Sequence, residues 1–301
     1  MRSTHLPGVP RALTNLCIGT SPLGSHMTEI YGGDVEDQQA HETIAAALES
    51  PIRFLDTANG YGESERRIGE VLATSNIADD FVVATKAAPR GTDFSGSRVK
   101  QSLAESTSRL GLDSFDVYYL HDPERFEYEY LTGRGGAVDA LRELKGEGSV
   151  RAIGVAGGDI ATLQRYLRLD VFDVVLNHNR FTLLDRTADP LIDETLSAGA
   201  AFINAAPYAS GLLAKSSSGR YKYRLPDDRV TRLVHKLTRV CADYAVSLPA
   251  VALRFSTRDP RITSTVVGVS RPQRIAELVE NDAADIPEEI WRAIEMAVAE
   301  G

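Results

Sequence analysis

A chain of 301 residues with 43% hydrophobic and 25% charged residues carries enough apolar material for a sizeable core, which excludes a disordered or low-complexity protein. Its formal charge of -9 argues against a nucleic-acid surface, because such surfaces concentrate Lys and Arg. The cysteines, Cys17 and Cys241, lie far apart, so neither a disulfide framework nor a CxxC metal site is suggested and a reducing cytoplasm fits.

At the N-terminus, MRSTHLPGVPRAL lacks the apolar stretch of a secretory signal, and no segment approaches the roughly twenty apolar residues of a membrane span. The first predicted strand is LCIGT (16–20). GSHM at 24–27 has the sequence of a cloning scar, but its place inside the chain makes coincidence the better explanation. A helical segment EDQQAHETIAAALES leads to strand RFLDT (53–57), SERRIGEVLATS to FVVATK (81–86), and SRVKQSLAESTSRLG to FDVYYLH (115–121). AVDALRELKGEG then precedes VRAIGVA (150–156), followed by FDVVLNH (172–178) and AAFINAAP (200–207). DRVTRLVHKLTRVCADYA and LPAVALRFSTRD (248–259) come before the eighth strand, STVVGV (264–269), and PEEIWRAIEMAVAE closes the chain as a helix led by Pro287.

Strand and helix alternating eight times, with near-continuous apolar strands, predict an α/β chain folded as one (β/α)8 TIM barrel domain over 1–301. A doubly wound nucleotide-binding sheet is the competitor. No G-x-G-x-x-G follows the first strand, however, and no G-x-x-x-x-G-K-[ST] occurs.

Barrel active sites sit at the C-terminal strand ends, which directs attention to Asp56, Lys86 and His121 and to Tyr61 in the adjoining loop. Singly, each has an ordinary reading: a cap, a solvated lysine, a structural histidine, a core aromatic. Together they have a chemical logic. A phenol with a pKa of about 10 trades protons poorly at neutral pH. A nearby ammonium stabilises the phenolate, and a carboxylate holds the ammonium. His121 would orient a carbonyl or hydroxyl oxygen. No side chain supplies a hydride, so a nicotinamide or flavin must.

FLDTANGYGESERRIGEVL closely resembles the aldo-keto reductase signature, and the likeness extends from LCIGT to GVSRPQRIAELVE. The resemblance implies a barrel that binds NADP(H), less often NAD(H), without a Rossmann domain, with Asp56, Tyr61, Lys86 and His121 as catalytic tetrad. It also implies that Tyr61 donates the proton in reduction and accepts it in oxidation.

In VVGVSRPQRIAELVEN, Ser270 and Gln273 have capping-box spacing, so a helix N-terminus should begin there, with Arg271 and Arg274 adding charge for an anion. The same residues also read as an ordinary capped surface helix. The resemblance assigns the Val269–Ser270 junction to the adenosine phosphate, Arg274 to the 2′-phosphate of NADPH and Glu277 to adenine, with Leu278 in place of the usual asparagine. In PYASGLLAK it implies backbone contacts from Ser210, Gly211 and Leu212 to the pyrophosphate. Ala205 stands where many members stack an aromatic on nicotinamide, and Ala156 and Gly157 stand where Ser-Asn holds the carboxamide. Asn177 is expected to bind that amide instead, above a floor of Gly19 and Thr20. A divergent cofactor grip is favoured over lost turnover, because the relay and the phosphate junction are both complete.

RFTLLDR (180–186), NAAPYASGLL and VVGVSRPQR look most like the branch containing L-fucose or D-threo-aldose 1-dehydrogenases, L-galactose dehydrogenase and pyridoxal 4-dehydrogenase. That resemblance implies oxidation of a cyclic hemiacetal to a lactone. Beside Tyr61 and His121, the substrate candidates are Tyr31, Asp122, His178, Asn179 and Arg180, each also readable as a solvated loop residue. An NADPH-dependent reductase of aldehydes or ketones and a non-catalytic nucleotide-binding module are the alternatives. No metal is expected, since no H-E-x-x-H occurs and the single close His/Asp pair is His121-Asp122. The expected partner is a small-molecule substrate, with neither nucleic acid nor membrane; monomer and homo-oligomer both stay open.

Overall fold

Parallel strands buried on both faces must hydrogen-bond around a ring or leave bare edges, and this chain closes the ring. The structure, a computed structural model, describes residues 1–31, 33–75, 77–214, 220–222 and 224–299. Lys215 of the PYASGLLAK segment and Glu300 of the last predicted helix lie outside these residues.

A short antiparallel hairpin comes first, β1 (Ser3–His5) with β2 (Ala12–Thr14). The barrel strands follow: β3 (Leu16–Gly19), β4 (Phe54–Asp56), β5 (Val82–Ala87), β6 (Phe115–His121), β7 (Val150–Gly157), β8 (Val174–His178), β9 (Ala201–Ala205) and β10 (Ser264–Gly268). Each pairs in parallel with the next, and β10 returns to β3. All eight expected strands are present, within a few residues of their predicted ends. The hairpin was not anticipated; three-residue strands around a Pro- and Gly-containing turn leave no periodicity to read.

Helices cover the outside. In Gly96–Leu110, the Ser95 side chain accepts from Arg98 N and satisfies one of the free first-turn amides, while Gly111 ends the helix in the left-handed region at φ 67°. Its buried face, including Val99, Leu103 and Leu110, packs into the layer between strands and helices. A separate cluster fills the barrel axis, where Leu6, Val9 and Leu13 of the hairpin region meet Cys17, Phe54, Val82 and Val117 near the N-terminal strand ends. The hairpin therefore seals the bottom of the barrel. Among the described residues no helix is long and apolar enough to cross a membrane.

One local expectation is corrected. The helix after β10 spans Gln273–Ala283, its N-cap is Pro272, and no side chain caps it. Pro272 already holds a helical φ of -57°, so the first turn is preset without a Ser270 hydroxyl. Ser270 instead presents its carbonyl oxygen to Gln39 Nε2 at 2.6 Å.

Candidate active site

Side chains alternate across a strand, so Phe54 and Asp56, Ala84 and Lys86, Tyr119 and His121, and Leu176 and His178 share the inward parity. Apolar members fill the barrel; Asp56, Lys86, His121 and His178 end up on its open rim. Lys86, 1% exposed, donates to Asp56 Oδ1 in a short ion pair and to the Thr57 carbonyl at 2.8 Å. Burial raises the Asp56 carboxyl above its ordinary value, against the opposing pull of Lys86. Asp56 Oδ2 and the Tyr119 hydroxyl lack hydrogen-bond partners among the described residues. Gly154 leaves the room that the Tyr119 ring occupies.

Tyr61 sits in the loop after β4, its amide bonded to Ala58 O at 3.0 Å and its carbonyl accepting from Ser64 N at 3.0 Å. Three groups surround its ring. The Lys86 ammonium is 4.7 Å from the ring centre, His121 meets it edge-on at 5.5 Å, and His26 stacks on it at 5.4 Å. Burial, reinforced by Lys86, holds the His121 imidazole well below its ordinary pKa and hence neutral. The fold thus brings Asp56, Tyr61, Lys86 and His121 together. His26, from the GSHM stretch, was missed by sequence reasoning; burial lowers its pKa also.

Above this group opens a cavity of about 1180 Å³. Gly19, Ala156, Gly157 and Ala205 give it a floor of minimal side chains; a Cβ on Gly19 would stand 2.9 Å from Val266 Cγ1. Tyr31, Asp122, His178, Ser210, Gly211, Ser270, Arg271 and Arg274 also line it, as does Arg125, which the sequence did not single out. Tyr31 bonds Ser21 Oγ at 2.7 Å, and Ser210 Oγ donates to Asn179 Oδ1 at 2.9 Å.

Other expected residues lie outside the cavity wall. Asn177 has the outward parity and donates to Gly157 O at 3.0 Å, so it does not line the cavity; its neighbour His178 does. Thr20 is buried and donates to Asp56 O at 3.0 Å, fastening β3 to β4. Arg180 turns to Gly158 O at 3.2 Å. Leu212 and Val269 pack in the outer core. Glu277 accepts from Arg271 at 3.0 Å and from Arg274 at 2.6 Å, bracing both guanidiniums at the cavity edge, and Arg274 also lies 5.0 Å over the Tyr208 ring. No group of three or more His, Cys, Asp or Glu side chains among the described residues is arranged to hold a metal.

The aldo/keto reductase family profile matches residues 15–299. The chain belongs to the aldo/keto reductase family. It is 35% identical to D-threo-aldose 1-dehydrogenase from Pseudomonas sp over 85% of this chain and 87% of that protein. It is 31% identical to L-galactose dehydrogenase from Arabidopsis thaliana over 87% of this chain and 82% of that one. In fold it matches the glycerol dehydrogenase of Gluconobacter oxydans with a TM-score of 0.79 at 20% identity, covering 99% and 95% of the two chains. This aldo/keto reductase is an oxidoreductase, and the nicotinamide cofactor of its family fits the cavity: small residues floor one end and paired guanidiniums stand at the other.

Proposed function

We propose that this protein oxidises the hemiacetal carbon of a cyclic aldose to a lactone, with Asp56, Tyr61, Lys86 and His121 as its working groups. The observation that carries the reading is the buried Lys86–Asp56 ion pair beside Tyr61, with neutral His121 at the ring edge. The names of the two similar dehydrogenases support a sugar as the substrate class.

Gly19, Ala205, Ser210, Gly211, Arg271 and Arg274 would hold the dinucleotide, which when bound supplies the hydride acceptor. The Lys86 ammonium, 4.7 Å from the Tyr61 ring centre, would steady the negative charge that develops on the phenol as it trades its proton, and Asp56 keeps the ammonium in place. Tyr61 takes the proton of the anomeric hydroxyl as the hydride leaves C1. His121, neutral, donates to the same oxygen and fixes its direction. Run backwards, the same groups serve carbonyl reduction. NADP(H) is favoured and NAD(H) accepted, because two arginines face one carboxylate at the phosphate end. The two cysteines are buried free thiols, which suits the cytoplasmic setting that the proposal assumes.

Incubation with NAD or NADP and a panel of aldoses, followed by the near-ultraviolet absorbance of reduced nicotinamide, tests the reading. Sugar-dependent reduction is expected for the parent protein and its loss for Tyr61→Phe; tight nucleotide binding without turnover in either direction rejects it.

A further inference from the structure

We infer that Asp122 recognises the hydroxyl on the carbon next to the reacting one, making the site selective for 2-hydroxy substrates. The inference rests on the oxidoreductase reading above and adds a requirement to it.

Consecutive residues of a strand point to opposite faces, so a residue after His121 would ordinarily turn its side chain out of the barrel. Here the ladder closes with Asp122 N on Ala156 O at 2.8 Å, and the chain then enters the left-handed region at φ 46°, ψ 52°. Few non-glycine residues adopt that region, and such strained positions gather at functional sites. The turn swings Asp122 back, so that both side chains line the cavity with His121 Nε2 and Asp122 Oδ1 3.8 Å apart.

An aspartate at the start of a helical turn usually accepts from an amide of that turn. Asp122 precedes the short helix Pro123–Arg125 and makes no such bond, and its carboxylate accepts no hydrogen bond from any described residue. His178 on β8, Arg125 and Lys86 are near enough to act on its charge without bonding to it. The result is a half-buried acceptor with open lone pairs beside the imidazole that would hold the reacting oxygen.

A carboxylate accepts and does not donate, so its partner must carry a hydrogen-bond donor, which on a sugar is a hydroxyl. Oxygens on neighbouring carbons bridge a 3.8 Å gap with each inside hydrogen-bond reach of its own group. With the first on His121, the second meets Asp122. A substrate lacking that hydroxyl leaves the desolvated carboxylate without a partner, a strong basis for discrimination.

The test compares pairs that differ only at C2: D-galactose with 2-deoxy-D-galactose and D-arabinose with 2-deoxy-D-ribose in oxidation, lactaldehyde with propionaldehyde in reduction. Each pair is run with the parent and with Asp122→Gly, which removes the acceptor and adopts the left-handed backbone freely. The expected preference of the parent for the 2-hydroxy member is about 10- to 100-fold in kcat/KM, falling to near unity in the variant. Equal rates for the two members in the parent, or a preference that survives Asp122→Gly, overturn the inference while leaving an aldose reading intact. If only the aldehydes turn over, lactol oxidation falls and the aldehyde pair alone decides the role of Asp122. Absence of turnover with every pair overturns both.

Discussion

Gly24 lies so close against the backbone of Tyr61 that no Cβ fits between its Cα and the Tyr61 carbonyl oxygen. The Gly24 carbonyl in turn accepts from Glu63 N at 3.0 Å, so the segment after β3 clamps the loop that carries the phenol. Gly24→Ala must push the Tyr61 loop outward. We expect a stability loss of about 1–3 kcal/mol in denaturant unfolding and a fall in kcat/KM of about 10²-fold from misplacement of the phenol.

The Lys86–Asp56 pair is expected to fail asymmetrically. Either Asp56→Asn or Lys86→Met leaves one buried group without its counter-charge and should cost about 3–5 kcal/mol in thermal or denaturant unfolding. The Asp56→Leu/Lys86→Met double variant removes both charges and should regain much of that stability while remaining inactive. A double variant as unstable as the sum of the singles would show that the pair's packing outweighs its charges.

His121 makes stability pH-dependent in a defined direction. Its folded pKa lies well below the ordinary value, so in mildly acid solution the unfolded chain binds a proton that the folded chain refuses. The His121 contribution is therefore fully present above the unfolded value of about 6.5 and is lost as pH falls below it toward the folded value. His121→Asn should flatten the unfolding free energy between roughly pH 7 and pH 5 relative to the parent. Identical slopes in the two proteins would count against a neutral His121.

Glu277 braces Arg271 and Arg274 at the cavity edge, and its charge opposes the phosphate proposed to bind there. Glu277→Gln should raise the ratio of kcat/KM for NADP over NAD by about tenfold, with less effect on NAD itself. A ratio that stays constant would place the 2′-phosphate away from Arg271 and Arg274.

The barrel was legible because strands buried on both faces write themselves as apolar runs, and the runs ended in Asp56, Lys86 and His121 at one level. That same double burial hid side-chain parity. VVLNH offers no polar alternation to say whether Asn177 or His178 faces the axis, and a shift of one residue exchanges the two. His26 was invisible for another reason: its stacking on Tyr61 depends on a contact between two loops far apart in sequence, and GSHM has no pattern of its own. The grip of Glu277 on Arg274 is a three-residue helical spacing readable in principle, whereas the unused Ser270 cap required knowing that Pro272 had already set the turn.

Because Leu6, Val9 and Leu13 stopper the far end of the strand ring, the cavity formed by the described residues opens on the side of the C-terminal strand ends. Gly19, Ala205, His121 and Asp122 all line that one cavity, so any two molecules seated on them lie side by side behind the same plugged floor.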